Sequence, residues 1–263
     1  MRTAGRARYD RRPVGAAEIA AIAAAGMAAG AINTVVGSGT LITFPVLLAF
    51  GYSPVTANVS NTIGLVPGSV SGAIGYRREL RGQRTHMLRF AVASVLGGIT
   101  GAVLLLVLPD DAFEAIVPVF IAIALVSVVL QPRLDRMVAE RRPPPDAHGT
   151  GLPRLLVYFA GIYGGYFGAA QGILLIAILG PSLPDDLQRV NALKNVLAGV
   201  VNAVAAIVFI AVADVAWGPA ALIAAGSVVG AQLAARYGRR LSPRALRAVI
   251  VAVGIAAIAQ LLA

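Results

Sequence analysis

Cysteine is absent from the 263-residue sequence, so no disulfide, thiolate nucleophile or cysteine-ligated metal can form. Charge is also scarce: 13% of the residues are charged, against about 25% in a typical soluble domain. That leaves too little polar surface to cover a water-soluble globule. Hydrophobic residues make up 58% of the chain, and the mean hydropathy is +0.80.

Apolar runs recur along the chain, several of them long enough to cross a hydrocarbon core about 30 Å thick. They predict an all-α integral membrane protein, a polytopic helical bundle. The first run follows a basic N-terminus, as a secretory signal would, but a later segment copies it, so we interpret it as a spanning helix. The segments lie near 14–36, 39–51, 54–76, 87–108 and 112–130, and then near 154–170, 172–181, 187–213, 216–236 and 245–262.

The net charge of +10 comes from arginines in short blocks between apolar runs, such as the block at 77–89. In a soluble protein this excess would suggest nucleic acid. Between spanning segments it is typical of cytoplasmic loops that contact anionic lipid. We therefore expect the lipid bilayer, and no nucleic acid, as the partner of these arginines.

The two halves of the chain align at an offset of 133 residues, which indicates a duplicated unit. Gly39 matches Gly172 at this offset, and Asn58 matches Asn191. We predict a first transmembrane repeat at 14–130, a cytoplasmic Arg/Pro-rich linker at 131–153 and a second repeat at 154–263. Paired repeats with a substrate site at their interface are common in secondary transporters.

The charges leave the number of spans open between eight and ten. The loop at 77–89 and the loop at 236–247 are both basic and should both be cytoplasmic, which favours inverted repeats of five crossings each. Ten crossings place the basic N-terminus outside, whereas eight crossings place 236–247 outside. The short segments 39–51 and 172–181 decide between the two, as full spans or as broken or re-entrant segments.

Glycine clusters at matching positions in both halves predict broken helices. The first contains Gly37, Ser38, Gly39 and Thr40, and the second runs from 161 to 172 and ends at Gln171 and Gly172. Unpaired backbone is tolerated at membrane depth only where it is buried or lines a cavity. A helix that starts after such a break offers N–H groups to an anion. The alternative is close packing of helices through small residues.

Polar side chains form a ladder in the third segment of each half. The amides and hydroxyls supply donors for an oxyanion, although interhelical hydrogen bonding is an equally ordinary role. Asn58 and Asn61 share one helical face, and Asn191 and Asn195 repeat their relationship. The predicted substrate-binding members are Asn58, Asn61, Ser69, Asn191, Lys194, Asn195 and Asn202.

Lys194 is the only lysine in the chain, and it lies within an apolar segment. An intramembrane cation is costly and usually faces a cavity or a partner. We therefore expect Lys194 to contact the anion or line its path; the alternative is that its amine reaches the interface.

Acidic residues and histidines are absent from the deep parts of the apolar segments, and no acidic residue lies at a helical spacing that would pair with Lys194 locally. We therefore expect no metal, no cofactor and no catalytic acid–base pair. Without a titratable relay, export of a monoanion would be driven by membrane potential, which is worth roughly 2.3 kcal/mol per 100 mV.

The motifs around both glycine clusters resemble those of the sulfite exporter TauE/SafE family. The matching stretches are 32–45, 57–62, 67–69 and 75–80, with 161–172 and 191–202 similar to that family's second repeat. The resemblance implies a multi-pass permease of the bacterial inner membrane with about eight spans. It also implies sulfite, sulfoacetate or another organosulfur anion as substrate. Ala170 and Gln171 depart from the pattern, where a further glycine is common.

The sequence thus favours a permease for a small anion, not an enzyme. A carrier for a small carboxylate is the alternative within transport, and a membrane scaffold or membrane enzyme is the alternative from another class. Assembly into a homo-oligomer is left open.

Overall fold

The computed structural model describes residues 15–140, 151–237 and 243–262, which form helices joined by short loops. The first five are α1 (Ala16–Val35), α2 (Thr40–Ala49), α3 (Pro54–Gly75), α4 (Arg84–Val107) and α5 (Asp110–Glu140). They are followed by α6 (Gly151–Tyr166), α7 (Gln171–Leu179), α8 (Leu187–Val212), α9 (Trp217–Tyr237) and α10 (Pro243–Leu262). No strand occurs in these ranges, so the predicted all-α fold is confirmed for them.

Five helices, α1, α4, α5, α8 and α9, are long and apolar enough to cross a membrane. Large apolar side chains project outward from several of them, among them Val92, Val103, Val119 and Ile207. A surface of this kind is stable against lipid and unfavourable against water. The protein is therefore a multi-pass membrane protein.

Helices α2 and α7 are only 10 and 9 residues long, about 15 Å each. Each follows a left-handed turn in the backbone. Gly37 has φ +88° before α2, and Gly168 has φ +78° before α7. Glycine adopts this conformation without a Cβ clash. Ala170, at φ +61°, adopts it as well, at a cost of roughly 1–2 kcal/mol. Both segments predicted to be broken are therefore short helices after a reversal.

Helices α1, α3 and α9 run in the same direction. Gly26 of α1 packs against Ile223 of α9, and Gly30, one turn later, packs against Ser227. Gly64 and Gly68 of α3 meet the same two α9 residues in the same order. Because α1 and α3 are parallel, the chain must return across the molecule through α2 and the loops on either side of it.

Helices α4 and α6 are also parallel to each other, since Gly97 meets Tyr158 and Gly101 meets Ile162. Helices α3 and α8 cross in opposite directions. Ser69 lies against Gly199 near the crossing, Gln83 after the end of α3 donates to the Arg189 carbonyl at the start of α8 (3.1 Å), and the N–H of Ala216 after α8 donates to Ser60 Oγ (2.9 Å). Helices α1, α3 and α9 therefore run antiparallel to helices α4, α6 and α8.

Helix α5 extends further than the apolar run indicated. It reaches Glu140, so the first ten residues of the predicted linker continue a spanning helix. Pro132 lies inside this helix, and Leu134 packs against the apolar core, which gives the extension a buried face. The Pro-Pro-Pro run at 143–145 and the basic N-terminus at 1–14 lie outside the described residues.

Candidate functional site

The two helix breaks meet at one contact, although they belong to different halves of the chain. The N–H of Gly172 donates to the carbonyl of Gly37 at 3.1 Å. A Cβ on Gly37 would lie 2.5 Å from the Gly172 Cα, and the converse distance is also 2.5 Å. Neither position has room for a side chain. The structure therefore brings together the two glycine clusters that the sequence singled out.

Helices α2 and α7 both begin beside this contact. The first backbone bond into α2 runs from the N–H of Leu41 to the Ser38 carbonyl at 3.2 Å, so the N–H groups of residues 38–40 have no partner within the helix. Helix α7 begins at Gln171, next to Gly172. The partial positive charges of two helix N-termini are thus concentrated at one point.

Side chains of α8 bind the C-terminal carbonyls of α1, where that helix breaks. Lys194 Nζ donates to the carbonyls of Asn33 (3.0 Å) and Thr34 (3.4 Å). The amides of Asn191 and Asn195 donate to the same Thr34 carbonyl at 3.3 and 3.2 Å. Lys194 is completely buried, and its charge lies at the negative end of the α1 dipole.

Side chains of α3 hold the opposite break in the same manner. The Asn58 amide donates to the carbonyl of Tyr166, the last residue of α6, at 2.9 Å. The Asn61 amide donates to Thr40 Oγ1 at 3.2 Å and accepts a bond from the Thr43 hydroxyl. The third helix of each half therefore stabilises the broken first helix of the other half, and Asn61 also holds the start of α2.

Five polar atoms of residues at or beside the breaks are buried without a hydrogen-bond partner among the described residues. They are Ser38 Oγ, Gln171 Nε2, Asn58 Oδ1, Asn191 Oδ1 and Tyr166 Oη. Ser38 is 133 residues from Gln171, and Asn58 is 133 residues from Asn191. Both asparagine amides are oriented by the carbonyls to which they donate, so the free oxygens are acceptors. Unsatisfied buried groups are costly, and these point to a ligand or water between the breaks.

Two predicted site residues lie away from this centre. Ser69 is at the crossing of α3 and α8, where its hydroxyl donates to the Leu65 carbonyl (3.0 Å) and accepts a long bond from the Asn33 amide (3.5 Å). Asn202 is half-buried on α8 and makes no hydrogen bond to the described residues. Their contacts are those of packing between helices.

An aromatic cluster that sequence reasoning missed surrounds the second break. Phe44 of α2 contacts Phe167 edge-on, with ring centroids 5.2 Å apart. Phe113 and Phe120 of α5 pack against Phe167, and both also contact the Tyr166 ring. Phe44 and Phe167 lie within a few residues of the glycine clusters, which was the available signal. The rings shield the breaks with an apolar wall.

Two carboxylates of the spanning helices are at least partly buried, both near helix ends, whereas the prediction concerned the deep parts of the apolar segments. Asp135 of α5 has electrostatic interactions with Arg247 of α10 and Lys194 of α8, and its buried Oδ1 has no hydrogen-bond partner among the described residues. Glu18 of α1 is buried and accepts a bond from the Tyr52 hydroxyl at 2.9 Å. Sequence reasoning placed Asp135 in the linker because the apolar run ends about three turns before α5 does.

In the described part of the chain, no three His, Asp or Glu side chains come together in a way that could hold a metal ion. The groups that converge at the breaks are amides, hydroxyls, backbone N–H groups and one ammonium. Groups of these kinds can bind an oxyanion through hydrogen bonds and charge.

The chain is similar to proteins described as membrane transporters. The chain is 28% identical over 239 residues to the probable membrane transporter protein YfcA of Escherichia coli K12, covering 90% of this chain and 86% of that protein. It is 28% identical over 236 residues to the probable membrane transporter protein ORF9 of a Sinorhizobium species, covering 89% and 88%. No solved structure matches significantly. The family model for the sulfite exporter TauE/SafE matches residues 22–261, so the chain belongs to that family.

Proposed function

We propose that the protein is a permease of the bacterial inner membrane that exports a small anion, with sulfite, a sulfonate or another organosulfur anion as the substrate class. The observation that carries this proposal is the meeting of two helix breaks beside a buried lysine. The family description names sulfite export, and the names of the relatives describe membrane transporters. The substrate would bind between the breaks.

The groups at the breaks suit an oxyanion. Ser38 and Gln171 supply unpaired side-chain donors, and the N-termini of α2 and α7 supply backbone N–H groups and positive potential. The ammonium of Lys194 donates two bonds to α1 carbonyls, which leaves one N–H for a ligand. The free oxygens of Asn58 and Asn191 would accept bonds from water or from a hydroxyl on the anion.

The proposed transport unit is a pair of inverted repeats, α1–α5 and α6–α10, with ten crossings. Helix packing supports this division, because contacts recur when the two halves are exchanged: α1 with α9 corresponds to α6 with α4, and α3 with α9 corresponds to α8 with α4. The antiparallel crossing of α3 and α8 supports the inversion. Repeats of this kind move by rocking one bundle against the other around a central site.

The arginines support an orientation for this unit. Ten crossings bring the ends of α3, α5 and α9 together with the starts of α4, α6, α8 and α10. Every arginine placed by the described helices and loops belongs to this end of the molecule. By the positive-inside bias this end is cytoplasmic.

Flux measurements on purified protein in proteoliposomes test the proposal. We expect transport of sulfite and of methanesulfonate, with acetate as the matched carboxylate and glycerol as the neutral control. Methanesulfonate and acetate differ mainly in the charged group, so their ratio separates an organosulfur carrier from a carboxylate carrier. Flux of neutral or cationic solutes alone would contradict the anion proposal. No flux of any solute through folded, correctly inserted protein would favour a scaffold.

A further inference from the structure

A groove on the lipid-facing side of α4 and α6 has a second combination of charge and shape. It is lined by residues of those two helices and has a volume of about 510 Å³. The lining residues are Arg89, Val92, Ala93, Leu96, Arg154, Leu155 and Tyr158. The groove lies on the outer face of the bundle, apart from the helix breaks.

Close packing of the two helices forms the floor of this groove. Gly97 of α4 packs against the backbone of Tyr158 and Gly161 of α6. The Tyr158 hydroxyl shares a 3.3 Å hydrogen bond with Thr100 Oγ1, which fixes the ring at the inner end of the groove. The shape is therefore set by the backbone and one tethered ring.

Polarity changes along the groove as it does along a phospholipid. Arg89 and Arg154 lie within the first two turns of their helices and are exposed. Leu96 is seven residues further along α4 than Arg89, about 10 Å deeper in the membrane. Val92, Leu96 and Leu155 are 62%, 53% and 50% exposed, so they offer apolar surface to lipid, and Leu96 does so at the depth of acyl chains. No acidic residue lines the groove.

We propose that this groove binds a phospholipid with an anionic headgroup, whose phosphate lies between Arg89 and Arg154 and whose acyl chain covers the apolar lining. Two guanidinium groups at one end of an apolar groove complement that headgroup, and basic pockets between spanning helices on the cytoplasmic side bind such lipids. Phosphatidylcholine fits the same shape but presents a quaternary ammonium to the arginines. The proposal does not depend on the transported substrate.

The packing of α1 against α9 provides an internal comparison. That pair is also parallel and joined by glycines, but α1 contains no arginine or lysine and α9 has its only one, Arg236, in its last turn. Among the described residues, the starts of α1 and α9 therefore bring no guanidinium to the equivalent end of their groove. Charge, and not glycine packing alone, distinguishes the α4–α6 groove.

The test is lipid binding by delipidated protein in neutral detergent, with phosphatidylglycerol compared with phosphatidylcholine by native mass spectrometry. We expect the protein to prefer phosphatidylglycerol. The double variant R89Q/R154Q should lower that preference on the order of tenfold, and R133Q/R136Q should leave it unchanged. Arg133 and Arg136 are exposed arginines of α5 at the same end of the molecule, so this control matches the change in net charge.

A second variant tests the shape of the groove. Leu96→Trp keeps both arginines but fills the apolar part of the groove, so it should weaken the binding of both lipids. Added inorganic phosphate should not change lipid binding by the wild type or by any variant. Equal preference for phosphatidylglycerol in wild type and R89Q/R154Q would overturn the proposal. An equal loss in R133Q/R136Q would also overturn it, because the attraction would then be diffuse. Gel filtration and circular dichroism verify that each variant is folded.

Discussion

Lys194 has two roles that its position explains together. Its ammonium binds the last carbonyls of α1, which stabilises the break. It also adds the only formal positive charge on the buried face of α8. The sequence predicted a functional intramembrane cation. It could not predict the carbonyl partners, because Asn33 and Thr34 lie about 160 residues away in the chain.

Replacing Lys194 with glutamine separates the charge from the hydrogen bonds. A glutamine amide still donates to an α1 carbonyl, but the site loses its positive charge. We expect anion flux to fall by about tenfold or more while the protein stays folded. The measurement is initial flux in proteoliposomes at matched protein density.

Asn195→Ala is the matched control for Lys194→Gln, because the Asn195 amide donates to the same Thr34 carbonyl without charge. It should retain most of the flux and lose about 1 kcal/mol of stability. If both variants lose flux equally, Lys194 acts only through the break and not on the anion.

Asp135 is a partly buried carboxylate near the end of α5, beyond the apolar run. Its negative charge is near enough to Lys194 to act on it electrostatically, and we expect it to repel an incoming anion. We expect Asp135→Asn to lower the KM for the transported anion by a factor of about three to ten. The measurement is the concentration dependence of initial flux.

Glu140→Gln provides the control for Asp135, because Glu140 is an exposed carboxylate on the same helix. It should leave the KM unchanged. A rise in KM for Asp135→Asn would mean that the carboxylate orients Lys194 instead of competing with the substrate.

At the scale of helices, the apolar runs and the glycine clusters predicted most of the architecture. Each of the ten runs corresponds to a helix, and both short runs are short helices after left-handed turns. The end of α5 was missed because Arg133, Arg136 and Pro132 resemble a loop, whereas the face carrying Leu134 remains buried. Burial of one face determines whether such a segment continues the helix, whereas sequence composition averages over all faces.

The contact between the breaks depends on glycine, which a pair of substitutions tests. Gly37 and Gly51 both have positive φ, +88° and +84°, but a Cβ on Gly51 would meet nothing within 4 Å. Gly51→Ala should cost about 1 kcal/mol of stability from backbone strain alone. Gly37→Ala adds a clash with Gly172 and should cost about 3 kcal/mol or more.

Thermal unfolding in detergent, followed by gel filtration of heated samples, measures both glycine variants. The difference between them isolates the packing of the two breaks from the conformational strain that they share. Similar melting temperatures for the two variants would mean that the breaks separate easily, and the central site would then not be rigidly preorganised.

At the scale of the whole molecule, helix direction supports the ten-span side of the conflict that the charges left. The parallel course of α1 and α3 requires α2 and its loops to return the chain across the molecule, as the proposed ten crossings do. In that arrangement the loop at 77–89 and Arg236, at the end of α9, lie at one end. The acidic residues Asp110, Asp111 and Asp214 lie at the other end, where the helices and loops described here carry no arginine or lysine.

Because the chain has no cysteine, single cysteines report this topology without background. Arg81→Cys lies in the loop after α3, and Gly218→Cys lies at the start of α9. The ten-span arrangement places these residues on opposite sides, whereas eight spans from two parallel repeats place them on the same side.

In intact cells we expect a membrane-impermeant maleimide to label Gly218→Cys and to label Arg81→Cys only after the membrane is opened. Asp111→Cys should behave like Gly218→Cys, since α5 begins at the acidic end. Labelling of Arg81→Cys and Gly218→Cys from the same side would contradict the inverted repeat, and labelling of Arg81→Cys alone would reverse the orientation that the arginines support.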